Sequence, residues 1–368
     1  MRNKSRGLTM VELLIGLAIG SLVVIGAVFV YSQSRTTYSI NETQARLQEN
    51  GRYALAIMEP DLQLAGYYGF SNEANDFYWT NGSSKTSVMN LQSSSTALTT
   101  PGAIGTCGTN FAVDLLHPVQ GSNNAAGPIA VSACAPPASS PNAGAYVTGT
   151  DTLTIRRSST ETSTATAAKI QLYLNATKRT NQSIFNSATA PGAVGGNRQV
   201  RDLVVRTYYV AANSSMRAGY PTLWRKSLGT DGSAPKVLDE EILPGVEDLQ
   251  VEFGIDDADH DGSAGIDPAQ DKIAPIGYPD YFTGVVSRWV APNDTLLDQS
   301  TNGRKAQIVA VRIWLRMRAD QTEANYTDTR TYQYAGMSAA WNPATDGVAG
   351  FRRLLVSRTV YLRNVRFQ

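Results

Sequence analysis

Leu8 to Tyr31 reads LTMVELLIGLAIGSLVVIGAVFVY, with a single charged residue, Glu12, at the mouth of an otherwise apolar run. The 19 residues from Leu13 to Tyr31 carry no charge. At about 1.5 Å per helical residue they span roughly 28 Å, close to the hydrocarbon thickness of a bilayer. Arg2, Lys4 and Arg6 precede them with no acidic neighbour, so the positive-inside rule places the N-terminus in the cytoplasm and the remainder across the membrane. A secretory signal has an apolar core of about 7 to 15 residues and a small-residue cleavage site after it. This core is longer, and Val30-Tyr31-Ser32 is a poor site. A carboxylate at the centre of a membrane helix costs about 3 kcal/mol, so Glu12 marks a function by default and wants a cation. The alternative is that Glu12, only about 6 Å along the helix from Leu8, snorkels to the headgroups.

No proline occurs from Leu8 to Glu59, and apolar residues recur at Tyr38, Leu47, Ala54, Leu55 and Met58. The pattern predicts one helix of about 50 residues, broken at Pro60 and followed by a turn at Gly66. Its second half carries Arg35, Glu42, Arg46, Glu49 and Arg52, with Glu42 and Arg46 at the supporting i,i+4 spacing. The chain therefore divides into a membrane-spanning half of the helix over 8–31, an amphipathic half over 32–60, and a head over 61–368.

The head is long enough for one large domain or two lobes. Between Ser71 and Gly149 the only charges are Glu73, Asp76, Lys85 and Asp114, which reads as a loop-rich insertion with short strands. Strand signals follow at Tyr146–Arg156, Lys169–Leu174, Asp202–Ala211, Leu223–Leu228, Leu249–Gly254, Gln307–Arg318 and Leu354–Arg366. Val309, Val311, Ile313, Leu315 and Met317 alternate with Ala310, Arg312, Trp314, Arg316 and Arg318, the period of a half-buried antiparallel strand. The expected class is α+β: a long N-terminal helix before a mainly antiparallel β head with long loops.

Cys107 and Cys134 are the only cysteines. An exported head in an oxidising compartment favours their pairing, which would stabilise by about 3 to 4 kcal/mol; two buried thiols are the alternative. Asp257, Asp259 and Asp261, then Gly262, Ser263 and Asp267, have the carboxylate spacing of a calcium loop. Its twelfth position is Pro268 where a bidentate Glu is usual, and a solvated acidic hairpin explains the same charges without metal. Structural Ca2+ is therefore one expectation for this segment.

Catalytic constellations are thin. His117 and His260 are the only histidines, and the chain lacks a nucleophile elbow, a phosphate-binding loop with Lys and a zinc-type Cys/His cluster; the expectation is that it is not an enzyme. The net charge of +1 gives no global field for nucleic acid. From Gly303 onward, however, 11 Lys or Arg face 4 acids, with Arg312, Arg316 and Arg318 on one strand face beside Trp314. Such a face binds DNA phosphates, docks an acidic subunit surface, or is solvated with local ion pairs.

Gly7-Leu8-Thr9-Met10-Val11-Glu12 ahead of the apolar run resembles the prepilin N-terminus of type IV pilins and pseudopilins, with Leu8 where the family usually has Phe. The resemblance implies that a prepilin peptidase removes a leader, 1–7, by cutting between Gly7 and Leu8, and that Glu12 then pairs with the α-amino group of Leu8 on an adjacent subunit. Gln48-Glu49-Asn50-Gly51-Arg52-Tyr53-Ala54-Leu55, the segment Glu241 to Val251, Arg352-Arg353 and Leu362-Arg363-Asn364 are similar to the PilW branch of minor pilins, related to J-type pseudopilins of type II secretion. That branch implies a type IV pilin-like fold and a role in priming or forming a pilus tip complex that supports piliation, twitching and adhesion. It implies as partners the major pilin, minor pilins of the FimU, PilV and PilX types and a large tip adhesin. The location it implies is first the inner membrane and then the extracellular pilus, at its tip. A J-like pseudopilin, or a tip module binding DNA or a host ligand, is the alternative.

Overall fold

A computed structural model of the chain describes residues 9–71, 74–81, 84–88, 107, 110–125, 146–178, 182–256, 284–297, 306–323, 325–337 and 339–364. The chain divides into two compact units, Met1–Glu49 and Asn50–Gln368.

The long helix is present as α1 (Met10–Gln63). It does not break at Pro60, which sits inside its last turn. There the missing N–H removes only the bond that the Ala56 carbonyl would accept, and the Pro60 carbonyl still accepts from the Leu64 N–H at 3.2 Å. The stop comes at Gly66, whose φ of +73° is left-handed and whose N–H turns away to the Arg156 carbonyl at 3.1 Å. A Cβ at that position would approach the Asn364 carbonyl oxygen to 3.3 Å, so glycine is required both for the turn and for the close approach.

Among the described residues the second unit holds two sheets. The larger has nine strands: β1 (Phe77–Asn81), β2 (Ser84–Ser87), β3 (Val119–Ser122), β4 (Thr152–Ser158), β5 (Gln171–Asn175), β6 (Gln182–Phe185), β7 (Arg198–Ala211), β8 (Thr222–Thr230) and β9 (Pro235–Pro244). The smaller comprises β10 (Val246–Asp256), β11 (Arg288–Val290), β12 (Gln307–Thr322) and β13 (Phe351–Tyr361), in the order β11-β10-β12-β13. Every pairing between these strands is antiparallel except β1 with β6. The α+β class, a long apolar helix before a mostly antiparallel β domain, is borne out.

β7 is the spine of the larger sheet: it pairs with β5 through residues 198–202, with β4 through 203–208 and with β8 through 206–211. The chain crosses from the larger sheet to the smaller at Pro244-Gly245. Gly245 has φ of +90°, and a Cβ there would lie 2.9 Å from the Arg318 carbonyl oxygen and 2.8 Å from the Tyr220 hydroxyl. The Gly245 carbonyl accepts from the Arg318 N–H at 2.7 Å, so this corner is pinned to β12.

The apolar alternation on β12 points Val311, Ile313, Leu315 and Met317 into a fully buried layer, opposite Val251, Leu249 and Phe253 of β10. Each such side chain contributes about 1.5 to 3 kcal/mol by leaving water. The last turns of α1 cover this face closely: a Cβ on Gly51 would lie 2.9 Å from Val356 of β13 and 3.6 Å from Met317. The larger sheet has its own core, where Leu203, Val205, Tyr209, Trp224 and Val237 meet Leu172, Ile184 and Phe77.

Candidate functional site

In the first unit the sequence builds an exposed apolar helix. Leu13, Leu14, Ile15, Leu17, Ile19, Leu22, Val23, Val24, Ile25, Val28, Phe29, Val30 and Tyr31 are each more than half exposed. This surface is apolar all round, so lipid or other helices must cover it. α1 is long and apolar enough to cross a membrane.

At its start the geometry adds something that the spacing Thr9-x-x-Glu12 encodes but the reading above missed. The Thr9 N–H and hydroxyl both donate to Glu12 Oε2 at 2.9 Å, and the Glu12 N–H donates to Thr9 Oγ1 at 3.3 Å. This reciprocal capping box satisfies donors that the first turn would otherwise leave open. Within the single chain Glu12 thus already serves its own helix. Gly7 and Leu8, the expected processing site, lie outside the described residues.

In the second unit Asp61, on the last turn of α1, is gripped by two strands. Arg206 Nη1 reaches its two oxygens at 2.7 and 2.8 Å, the Tyr208 hydroxyl donates to Oδ2 at 2.7 Å, and Arg157 Nη2 donates to Oδ1 at 3.1 Å. Burial pushes the Asp61 carboxyl up, but Arg206, Tyr208 and Arg157 outweigh it and hold it below the usual carboxylate range. Arg156, wholly buried on β4, donates to the Phe111 carbonyl at 2.9 Å, the His117 carbonyl at 2.7 Å and Gln120 Oε1 at 3.0 Å. The 110–118 loop leading into β3 is thereby fixed to the sheet. His117 Nδ1 lies 2.7 Å from Asp114 Oδ2; burial raises the Asp114 carboxyl, while His117 and Arg156 pull it below its usual range.

The basic face of β12 is not the half-exposed surface that the alternation suggested. Arg316 and Arg318 are buried. Tyr334 and Trp341 supply the cover over Arg316, with Trp341 stacking at 3.7 Å from its guanidinium and the Tyr334 hydroxyl at 3.0 Å from Nη1. The charges are matched by Glu247 and Asp248 of β10: Arg316 approaches them at 3.4 and 3.6 Å, and Arg318 approaches Glu247 at 3.5 Å. Arg312 is more open, 3.6 Å from Glu252 and stacked 3.9 Å over Trp289. The period-2 reading failed here because it counts only local alternation, whereas the second cover comes from a segment further along the chain.

A second junction lies at Asp151, buried just before β4. Its carboxylate accepts the Asn124 N–H and the Val251 N–H at 2.8 Å each, and its own N–H donates to the Leu249 carbonyl at 2.8 Å. Burial pushes its pKa up to about 7, with nearby Asp248 adding to the rise and the two N–H donors opposing it. Cys107 is buried; Cys134 and the expected calcium ligands Asp257, Asp259, Asp261, Ser263 and Asp267 lie outside the described residues. Among the described residues no group of three His, Cys, Asp or Glu side chains could hold a metal ion.

Residues 207–364 match the family model PilW, described as type IV pilus-assembly protein W, and residues 2–28 match that of the prokaryotic N-terminal methylation motif. The first match runs from the end of β7 through the Gly245 corner and the whole smaller sheet. The second covers Glu12 and the apolar start of α1. No curated protein and no solved structure matches the chain.

Proposed function

We propose, from the premise that the two family matches support a PilW-type minor pilin of type IV pili, that the chain enters a fibre through α1 and primes or forms its tip complex. The observation that carries this reading is Glu12, the one charge of the apolar stretch Leu8 to Tyr31, already held at the helix start by Thr9. After cleavage between Gly7 and Leu8 by a prepilin peptidase, a second subunit's Leu8 amino group competes with Thr9 for that carboxylate. Pairing there neutralises both charges, and helix packing removes the apolar surface from lipid. The N-terminus is cytoplasmic and the head periplasmic before the subunit passes into the extracellular pilus.

The head supplies the surface that other minor pilins, of the FimU, PilV and PilX types, the major pilin and a large adhesin recognise, and through them it supports twitching and adhesion. A Cys107–Cys134 disulfide braces its loop-rich insertion, in keeping with a buried Cys107 that is not a free thiol. Ca2+ held by the Asp257 to Asp267 segment adds structural order there; the reading fails if chelation leaves the thermal stability of the full chain unchanged.

The assembly reading is tested in a deletion strain complemented with wild-type or Glu12→Ala protein, scoring piliation, twitching and protein secretion together. The expected result is that Glu12→Ala accumulates in the membrane and is lost from sheared pili. Recovery of the variant in pili at the wild-type level would overturn it. A secretion defect with normal twitching would assign the chain to a secretion pseudopilus instead.

A further inference from the structure

Lys226 and Asp239 face each other directly across the β8–β9 ladder. Both side chains are wholly inaccessible, and Lys226 Nζ lies 2.7 Å from Asp239 Oδ2. They continue a polar row across the sheet, from Thr154 and Thr207, whose hydroxyls are 2.8 Å apart, to Lys226 beside Thr207 in the ladder. The row is set among the aromatic and aliphatic side chains of the larger core, including Tyr209, Trp224 and Val237. The Tyr209 hydroxyl donates to the other carboxylate oxygen, Oδ1, at 3.2 Å, and its ring centroid is 5.4 Å from Nζ.

We propose that Lys226 and Asp239 join in an intramolecular amide, a covalent rung between β8 and β9 formed after folding. The fold holds an amine against a carboxyl in a water-poor pocket, where the translational and rotational cost of bringing two reactants together has already been met by folding. Burial pushes the Lys226 pKa down and the Asp239 pKa up, toward the neutral amine and neutral acid that react. The Nζ lone pair attacks Asp239 Cγ while Tyr209 donates to Oδ1 and draws charge onto it. The Cγ–Oδ2 bond then breaks, and Oδ2 leaves as water with its own proton and one from Nζ. Nζ keeps its remaining hydrogen as the amide N–H, Oδ1 becomes the amide carbonyl, and no oxidant or activating group is consumed. The product exchanges two buried charges, costly to desolvate, for one neutral hydrogen-bonding group.

The test is mass spectrometry of the purified full chain after reduction and denaturation. The expected intact mass is lower than that of the processed, uncross-linked chain by one water, and a tryptic digest should yield a branched peptide containing both Lys226 and Asp239, with no cleavage after Lys226. Asp239→Asn should lose one ammonia instead and give the same branched peptide. A wild-type chain at full mass, cut by trypsin after Lys226, overturns the proposal; because it is read on wild-type protein, a variant that fails to fold does not obscure the answer.

Discussion

Arg353 on β13 grips Glu247 on β10 with two nitrogens, Nε at 2.7 Å from Oε2 and Nη2 at 3.0 Å from Oε1, reaching across the intervening β12. Both residues are buried. The forked pair is the centre of a charge network in which Arg316 and Arg318 also approach Glu247, and Arg353 lies 3.6 Å from Asp328. Guanidinium and carboxylate match in shape, so one acid can serve several arginines.

Glu247→Ala leaves these arginines with less compensating charge in a buried setting, where breaking a pair costs about 3 to 5 kcal/mol. Urea unfolding of the full chain in detergent should show the midpoint fall accordingly, with Arg353→Lys recovering only part of the wild-type value because the fork is lost. A midpoint within the error of wild type for Glu247→Ala would show that the network contributes nothing.

Asp61 has its pKa depressed in the folded chain, where Arg206, Tyr208 and Arg157 overcome burial. Its contribution is therefore complete above the unfolded value of about 3.9 and is lost as pH falls through the lower folded value. Thermal melts taken from neutral pH downward should steepen below about pH 4 in the wild type. Asp61→Asn should start lower and slope less in that range.

Asp151 has the opposite sign. Its folded pKa is raised to about 7 by burial, so its contribution is greatest below about pH 4 and declines as pH rises toward 7, then levels off. Asp151→Asn removes this slope. It also starts less stable, because an amide NH2 meets one of the N–H groups of Asn124 and Val251 that the carboxylate accepts. Melting curves across that window check both; equal slopes in the two proteins would refute the assignment.

Thr9→Val removes both hydroxyl bonds of the capping box with Glu12. Losing an N-cap costs about 1 kcal/mol, roughly a fivefold shift in local opening. Amide exchange at residues 10–13 in micelles should quicken by that factor, and Thr9→Ser should restore it. Unchanged exchange in Thr9→Val would mean that the box does not hold the first turn.

The parts of this protein that were legible in its sequence are those set by neighbours along the chain. Helix α1 follows from an uninterrupted apolar and then amphipathic run, and β7, β8, β10, β12 and β13 follow from alternation. The Thr9–Glu12 box was equally local and equally readable. β9 was not: no strand signal fell on Pro235–Pro244, yet on the sheet Asp239 meets Lys226 and Glu240 meets Arg225. A charged strand is acceptable only when its neighbour supplies the opposite charges, and spacing along one strand does not report its neighbour. The stripe Arg312, Arg316 and Arg318 was visible in the sequence, but whether it faced water depended on where Tyr334, Trp341 and Glu247 came to lie. Local periodicity determined that this chain is a membrane-length helix followed by a β head. Long-range pairing, which alone brings a buried cation to its acid, decided which of the charges are surface and which are core.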